Sequence, residues 1–312
     1  MNTLAVVLSK PERLDLRALE LSSPGEEDVV VDIEWSGIST GTERLLWSGR
    51  MPDFPGMGYP LVPGYESVGR VSAAGDRSGL GVGQRVFVPG ARCFGDVRGL
   101  FGGAASRVVV PGERALPIDD SLAEQGVLLA LAATAHHIGG GHGGRQPDLI
   151  VGHGVLGRLV ARLAVAAGTT PTVWETLAAR RGGAHGYPVI DPAEDPRRDY
   201  RCICDVSGAA DILDALVGRL APGGEIVLGG FYESPLSFAF APAFLRELRL
   251  RVSAQWQPED LIAARSLVEA GRLSLDGLIS HRSDAALAES AYRTAFNDSS
   301  CLKMILDWRR CA

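Results

Sequence analysis

The first 120 residues alternate short apolar runs with turn residues. DVVVDIEWSG (28–37), ESVGRVSAAG (66–75), QRVFVPG (84–90) and ASRVVVPG (105–112) each read as a strand, with Gly and Pro punctuating every run. The opening MNTLAVVLSKPERLDL reads as a first strand and turn, since it lacks the basic start, apolar core and cleavage site of a signal peptide. Short strands at this spacing predict a partly closed barrel rather than a parallel sheet.

The pattern changes after Pro117. Ser121 with Glu124 three residues on is a capping-box pattern, and the apolar run that follows predicts a buried helix. GGGHGG (139–144) reads as a flexible connection. Then strands and helices alternate. DLIVGHG, TPTVWE, VID (189–191), RCICDVSG (201–208) and EIVLGGFY read as strands. VLGRLVARLAVAAG reads as an amphipathic helix ending at Gly168, and DILDALVGRLAPGG as a helix stopped by Pro222. This order predicts a parallel sheet covered by helices. CLKMILDW (301–308) reads as a strand returning to the first domain. The expected division is 1–120, completed by 283–312, and 121–282.

Composition narrows the class. The chain has 312 residues, 46% hydrophobic and 22% charged, enough for two cores in an ordinary globular protein. A net charge of −6 argues against a nucleic-acid partner. No apolar run of about 18 residues appears, so no membrane span is expected. The 5 Cys include the pair Cys202 and Cys204, which share one strand face and read as buried reduced thiols. Reduced thiols point to a cytoplasmic setting.

Gly152-His153-Gly154-Val155-Leu156-Gly157 is a G-x-G-x-x-G between an apolar strand and a helix. The first Gly permits the tight turn, the second lets a pyrophosphate approach, and the third lets helix and strand pack closely. The helix start supplies free N–H groups for phosphate. Glu175 ends the next strand, where an acid meets the adenosine ribose and repels a 2′-phosphate, so NAD is expected rather than NADP. Ser207, Gly208 and Gly229, after later strands, complete the candidate cofactor set. The expected nucleotide domain is therefore a Rossmann-type doubly wound sheet.

With SGIS, PGYESVG, GLGVGQRV, GGAASRVVVP, GHGVLG and LAPGGEIVLGG in this order, the whole chain resembles the medium-chain dehydrogenase/reductase superfamily. The resemblance implies an α/β protein with a GroES-like barrel as catalytic domain beside the Rossmann domain. ISTGTERLLWSGRMPDFPGMGYPLVPGYESVGRV is similar to a branch that oxidises the 1-hydroxyethyl side chain of a bacteriochlorophyllide, a Mg-tetrapyrrole, to acetyl with NAD. The superfamily's zinc-ligand Cys corresponds to Ser39, its His to Tyr65, and its third ligand falls near Leu129. Its structural zinc loop needs four Cys where this chain has Cys93 alone. Neither zinc is expected, because zinc takes thiolate, imidazole or carboxylate.

Without a metal the alcohol proton must leave through side chains. The candidates are Ser39, Thr42, Tyr65, Glu66 and His136, with Glu43 nearby. Ser39 or Tyr65 is expected to contact the alcohol oxygen, and Glu66 or a histidine to carry the proton outward. A purely structural Glu66 stays equally open. Adjacent His136 and His137 should point in different directions on their helix.

Trp47, Met51, Phe54, Met57 and Tyr59 lie between the two motifs and suit the wall of a flat apolar macrocycle. The same residues also suit a plain core. Two other functions stay open: a zinc-independent dehydrogenase of another secondary alcohol such as a polyol, and a non-catalytic pigment-binding relative. LRLRVSAQW (248–256) reads as an edge strand that could pair two copies into a homodimer. Peripheral association with the photosynthetic membrane is left open.

Overall fold

The computed structural model describes residues 1–53, 55–140 and 144–311. Phe54 and the centre of the glycine run, 141–143, lie outside the described residues. The chain forms two compact units, Met1–Ala130 with the segment from Leu278 onward, and Leu131–Gly277.

The first unit is built on two sheets. One orders its strands β2-β1-β4-β7, from β1 (Asn2–Lys10), β2 (Arg13–Glu20), β4 (Leu61–Val62) and β7 (Arg98–Gly99). The other centres on β3 (Asp28–Ile38), followed by β5 (Ser67–Ala74), β6 (Arg85–Val88) and β9 (Leu116–Pro117); β8 (Arg107–Pro111) also pairs with β3. From the chain's end, β16 (His281–Asp284) and β17 (Met304–Asp307) extend this sheet on the other side of β3. Val29, Val30, Val31, Ile33 and Trp35 are all buried. From Val31 onward apolar and polar residues alternate along this antiparallel strand, with Ile33 and Trp35 between Asp32, Glu34 and Ser36. β17 runs antiparallel to β3 with Met304 opposite Ile38. That register brings the end of the chain to the end of β3, where α1 (Thr42–Ser48) begins. α7 (Ala288–Asn297) packs its buried Ala291, Tyr292, Ala295 and Phe296 into the same core.

The second unit is a six-stranded parallel sheet ordered β12-β11-β10-β13-β14-β15. Its strands are β10 (Leu149–Val151), β11 (Thr172–Trp174), β12 (Val189–Ile190), β13 (Tyr200–Asp205), β14 (Leu220–Leu228) and β15 (Arg249–Val252). Helices α3 (Val155–Ala166), α4 (Leu213–Val217), α5 (Phe240–Leu245) and α6 (Pro258–Glu269) belong to this unit. Sequential strands depart in opposite directions from β10, so the switch point lies between β10 and β13.

Two local expectations differ from the structure. Asp119, not Ser121, caps the helix after Pro117: its carboxylate accepts from the Ser121 N–H at 2.8 Å. Ala123 at φ 42° interrupts the short 3₁₀ segment Asp120–Leu128, and Glu124 pairs with Arg282 instead of closing a capping box. The regular helix, α2, spans only Leu129–Ile138. The stretch read as one helix from 211 to 224 is helical only over α4. Leu220 onward already belongs to β14.

Candidate active site

In the nucleotide-binding unit, Gly152 has φ 101° and turns the chain from β10 into α3. A Cβ on Gly157 would stand 1.9 Å from the Gly152 carbonyl oxygen, so only glycine permits this approach of helix to turn. A Cβ on Gly154 would meet nothing within 4 Å. Gly154 is also the N-cap of α3 and makes no side-chain cap, so the N–H groups of the first helical turn receive no bond from it. An open glycine at an uncapped helix start is the cradle a pyrophosphate needs. Val155 and Leu156 open this helix. Glu175 follows β11, and its two oxygens accept from the N–H groups of His153 at 3.2 Å and Leu177 at 2.9 Å.

His153 turns its ring away from the cradle. The ring is fully buried, donates from Nδ1 to the Arg180 carbonyl at 2.7 Å, and accepts from the Tyr187 hydroxyl at 3.0 Å on Nε2. Burial pushes its pKa down to about 4, so it is neutral and locks the loop behind the fingerprint. Ser207 bonds Asp205 Oδ1 at 2.6 Å, Gly208 has φ 75°, and the Gly229 N–H reaches the Asp205 carbonyl at 2.9 Å. These three follow β13 and β14, at the carboxyl ends of the strands where open α/β sheets bind ligands.

The first unit holds a buried polar cluster where β3 meets α1. Tyr65 donates to Ser39 Oγ at 2.7 Å, Thr42 also hydrogen-bonds Tyr65, and the Tyr65 ring meets Phe101 edge-on at 5.3 Å. Ser39 is buried and Tyr65 half-buried. Burial raises the Tyr65 phenol pKa, and Glu66's charge raises it further, so Tyr65 acts as a neutral phenol. Glu66 is wholly buried. Lys303 Nζ lies 3.0 and 2.7 Å from its two oxygens and also donates to the Ile38 carbonyl at 3.2 Å. Glu43 is wholly buried as well. Its Oε1 accepts from the Ser39 N–H at 2.9 Å and its Oε2 from the Tyr292 hydroxyl at 2.7 Å.

Known proteins resemble this chain in sequence and fold. Residues 25–120 match the alcohol dehydrogenase GroES-like domain. The 2-desacetyl-2-hydroxyethyl bacteriochlorophyllide A dehydrogenase of Rhodobacter capsulatus is 58% identical, covering 99% of each chain. Its namesake in Cereibacter sphaeroides is also 58% identical, over 100% of each. The chain belongs to this bacteriochlorophyllide dehydrogenase family. The family is a branch of the medium-chain dehydrogenases, which are oxidoreductases. The fold also matches that of L-idonate 5-dehydrogenase from Escherichia coli, with TM-score 0.85, 19% identity and 98% coverage of both chains.

Zinc, which many medium-chain dehydrogenases carry, does not fit the residues of this family member. Two hydroxyls, Ser39 and Tyr65, already bond each other, and Leu129 at the third position has no donor atom. Glu66 has both oxygens on Lys303, a cation that zinc would have to displace.

The structure brings Ser39, Thr42, Tyr65 and Glu66 together in the first unit. His136 lies in the second unit. Nor do the neighbouring histidines diverge: His136 and His137 each donate from Nδ1 to one oxygen of the buried Asp260, both at 2.7 Å. One carboxylate with two oxygens accepts both rings at the last turn of α2. Trp47, Met51, Met57 and Tyr59 are half-buried against the first unit's core. Trp47 packs on Phe296 at 5.6 Å, and the Tyr59 hydroxyl bonds the Leu46 carbonyl. Lys303, Tyr292 and Asp260 entered no sequence argument, because their partners lie more than a hundred residues away in the chain.

Proposed function

We propose that the chain oxidises the 3-(1-hydroxyethyl) group of a bacteriochlorophyllide a precursor to 3-acetyl, with NAD as hydride acceptor and without zinc. The observation that carries this reading is full-length identity of 58% to relatives named for that substrate, joined to a pocket where hydroxyls replace zinc donors. When bound, the dinucleotide would supply the hydride acceptor for the carbinol carbon. The Gly152–Gly157 turn and the α3 N-terminus would hold its pyrophosphate, and Glu175 would take the adenosine ribose. A carboxylate there disfavours a 2′-phosphate, which supports NAD over NADP.

In the first unit, Tyr65 is the better exposed end of the Tyr65–Ser39 pair. Its oxygen accepts the alcohol proton's hydrogen bond while its own proton points to Ser39 Oγ. This bonding fixes the alcohol oxygen for hydride loss, and the proton that the oxidation releases passes from the alcohol to solvent water. Glu66, clamped by Lys303, serves to hold the pocket rather than to shuttle protons. Trp47, Met51, Met57 and Tyr59 offer the macrocycle an apolar face.

Among the described residues no helix is long and apolar enough to cross a membrane. We place the enzyme in the cytoplasm, where its poorly soluble substrate brings it to the photosynthetic membrane surface. Edge strand β15 and helix α5 expose Val252, Phe240, Phe244 and Leu245, which supports a homodimer joined edge to edge; a monomer in sedimentation would overturn it.

The test is turnover of 3-(1-hydroxyethyl)-bacteriochlorophyllide a with NAD, followed as NADH formation and a red shift of the pigment. The expected result is turnover with NAD, with NADP a far poorer acceptor and sugar acids or polyols inert. Turnover of a polyol alone would replace this substrate, and pigment binding without NAD binding would make the protein a carrier.

A further inference from the structure

Behind the Ser39–Tyr65 pair the first unit buries two carboxyls and one ammonium. Lys303 is committed to Glu66. Glu43's hydrogen-bond partners, the Ser39 N–H and the Tyr292 hydroxyl, are both neutral. A second carboxylate this deep, near Glu66 and with one ammonium between them, is costly to keep ionised. Burial therefore favours the protonated form of this carboxyl over that of an exposed one. The same carboxyl is the only side chain described as bonding the Ser39 backbone, and Ser39 in turn accepts Tyr65.

We propose that Glu43 is the positioning residue of the alcohol pocket: as a carboxylate it holds Ser39, and through Ser39 the Tyr65 hydroxyl, in register for the substrate, and on taking up a proton it loosens that hold. This inference rests on the alcohol-oxidising reading above. A hydrogen bond to a charged acceptor is roughly twice as strong as one to a neutral acceptor, so protonation weakens the bond to the Ser39 N–H. Burial pushes the Glu43 carboxyl up to about 7. The Ser39 N–H and the Tyr292 hydroxyl oppose that rise, Glu66 adds to it, and Lys303 opposes it. Tyr65, held neutral by its own burial, faces the same cluster. The link reaches across the chain: Tyr292 on α7 lies 249 residues from Glu43, so the terminal segment sets the state of the pocket.

The experiment is the pH profile of kcat/KM for the hydroxyethyl pigment in wild type, Glu43→Gln and Tyr292→Phe. Wild type should lose activity along a one-proton limb near pH 7. Glu43→Gln should be flat in that window, lower in kcat/KM by on the order of tenfold to a hundredfold, with an unchanged KM for NAD. Tyr292→Phe removes a bond that favours the carboxylate and should move the limb up by about one pH unit. A limb that persists unchanged in Glu43→Gln overturns the proposal. Should Glu43→Gln not fold, Tyr292→Phe decides: a displaced limb supports the proposal, and an unmoved one overturns it. Infrared titration of the carboxyl bands, wild type against variant, needs no substrate. A band near neutrality that the variant lacks keeps Glu43's proton even if the pigment proves to be the wrong alcohol, and no such band overturns the proposal whatever the substrate.

Discussion

Tyr65 fills the slot where the resemblance expects a zinc-ligand histidine, and it cannot do a histidine's work. Its phenol is raised by burial and by Glu66, so it neither ligates as phenolate nor acts as a free base. What it can do is accept from the alcohol and donate to Ser39 at 2.7 Å. Tyr65→Phe keeps the edge-on contact with Phe101 but removes both bonds. Its kcat/KM for the alcohol should fall by about 10²-fold or more, with the dissociation constant of NAD unchanged; steady-state kinetics and NAD titration check this. Ser39 and Tyr65 were legible in the sequence because each fills a slot whose usual occupant is chemically distinctive. Glu43 was legible only as a neighbour of the pocket, because a carboxyl four residues past Ser39 looks like an ordinary solvated helix charge, and Tyr292 and Lys303 were not legible at all. Only the fold shows that α7 and β17 enclose Glu43. His136 was legible as a titratable group in the right helix, but nothing local told of Asp260, 124 residues away.

At the scale of elements, periodicity carried furthest where a strand or helix is buried on a consistent face. β5, β6 and β8 fall within the runs that alternation marked, β3 runs one residue beyond its run, and α3 begins at the fingerprint. Boundaries shifted where a polar side chain or one unusual backbone angle decided them, as Asp119 and Ala123 do ahead of α2. The 211–224 run misled because Leu220 fits a helical face and a strand equally well, and its pairing opposite Tyr200 settles the matter. β17 carries the clearest energetic consequence. Lys303→Met would leave Glu66 buried without its cation, and the loss of stability should be about 3–5 kcal/mol. Adding Glu66→Gln should recover much of it, because the uncompensated charge is then gone. Urea unfolding of the single and double variants measures the difference; equal losses in both would show that the pair is not what holds this end of the sheet.

Across the whole molecule the proposed function divides the labour of an alcohol dehydrogenase between the two units. The second unit has the open glycine turn, the uncapped helix start and the strand-end glutamate of a dinucleotide site. The first has a hydroxyl pair, a clamped glutamate and a second buried carboxyl gathered in one cluster. Their expected boundaries, 120/121 and 282/283, compare with compact units that divide at Ala130/Leu131 and Gly277/Leu278. The central claim is that this division works without a metal. The most direct measurement is NADH formation from 3-(1-hydroxyethyl)-bacteriochlorophyllide a by protein stripped with a chelator and assayed for residual zinc. The account predicts the same rate before and after stripping, with no gain on adding zinc. A rate that collapses with the chelator and returns with zinc would contradict it.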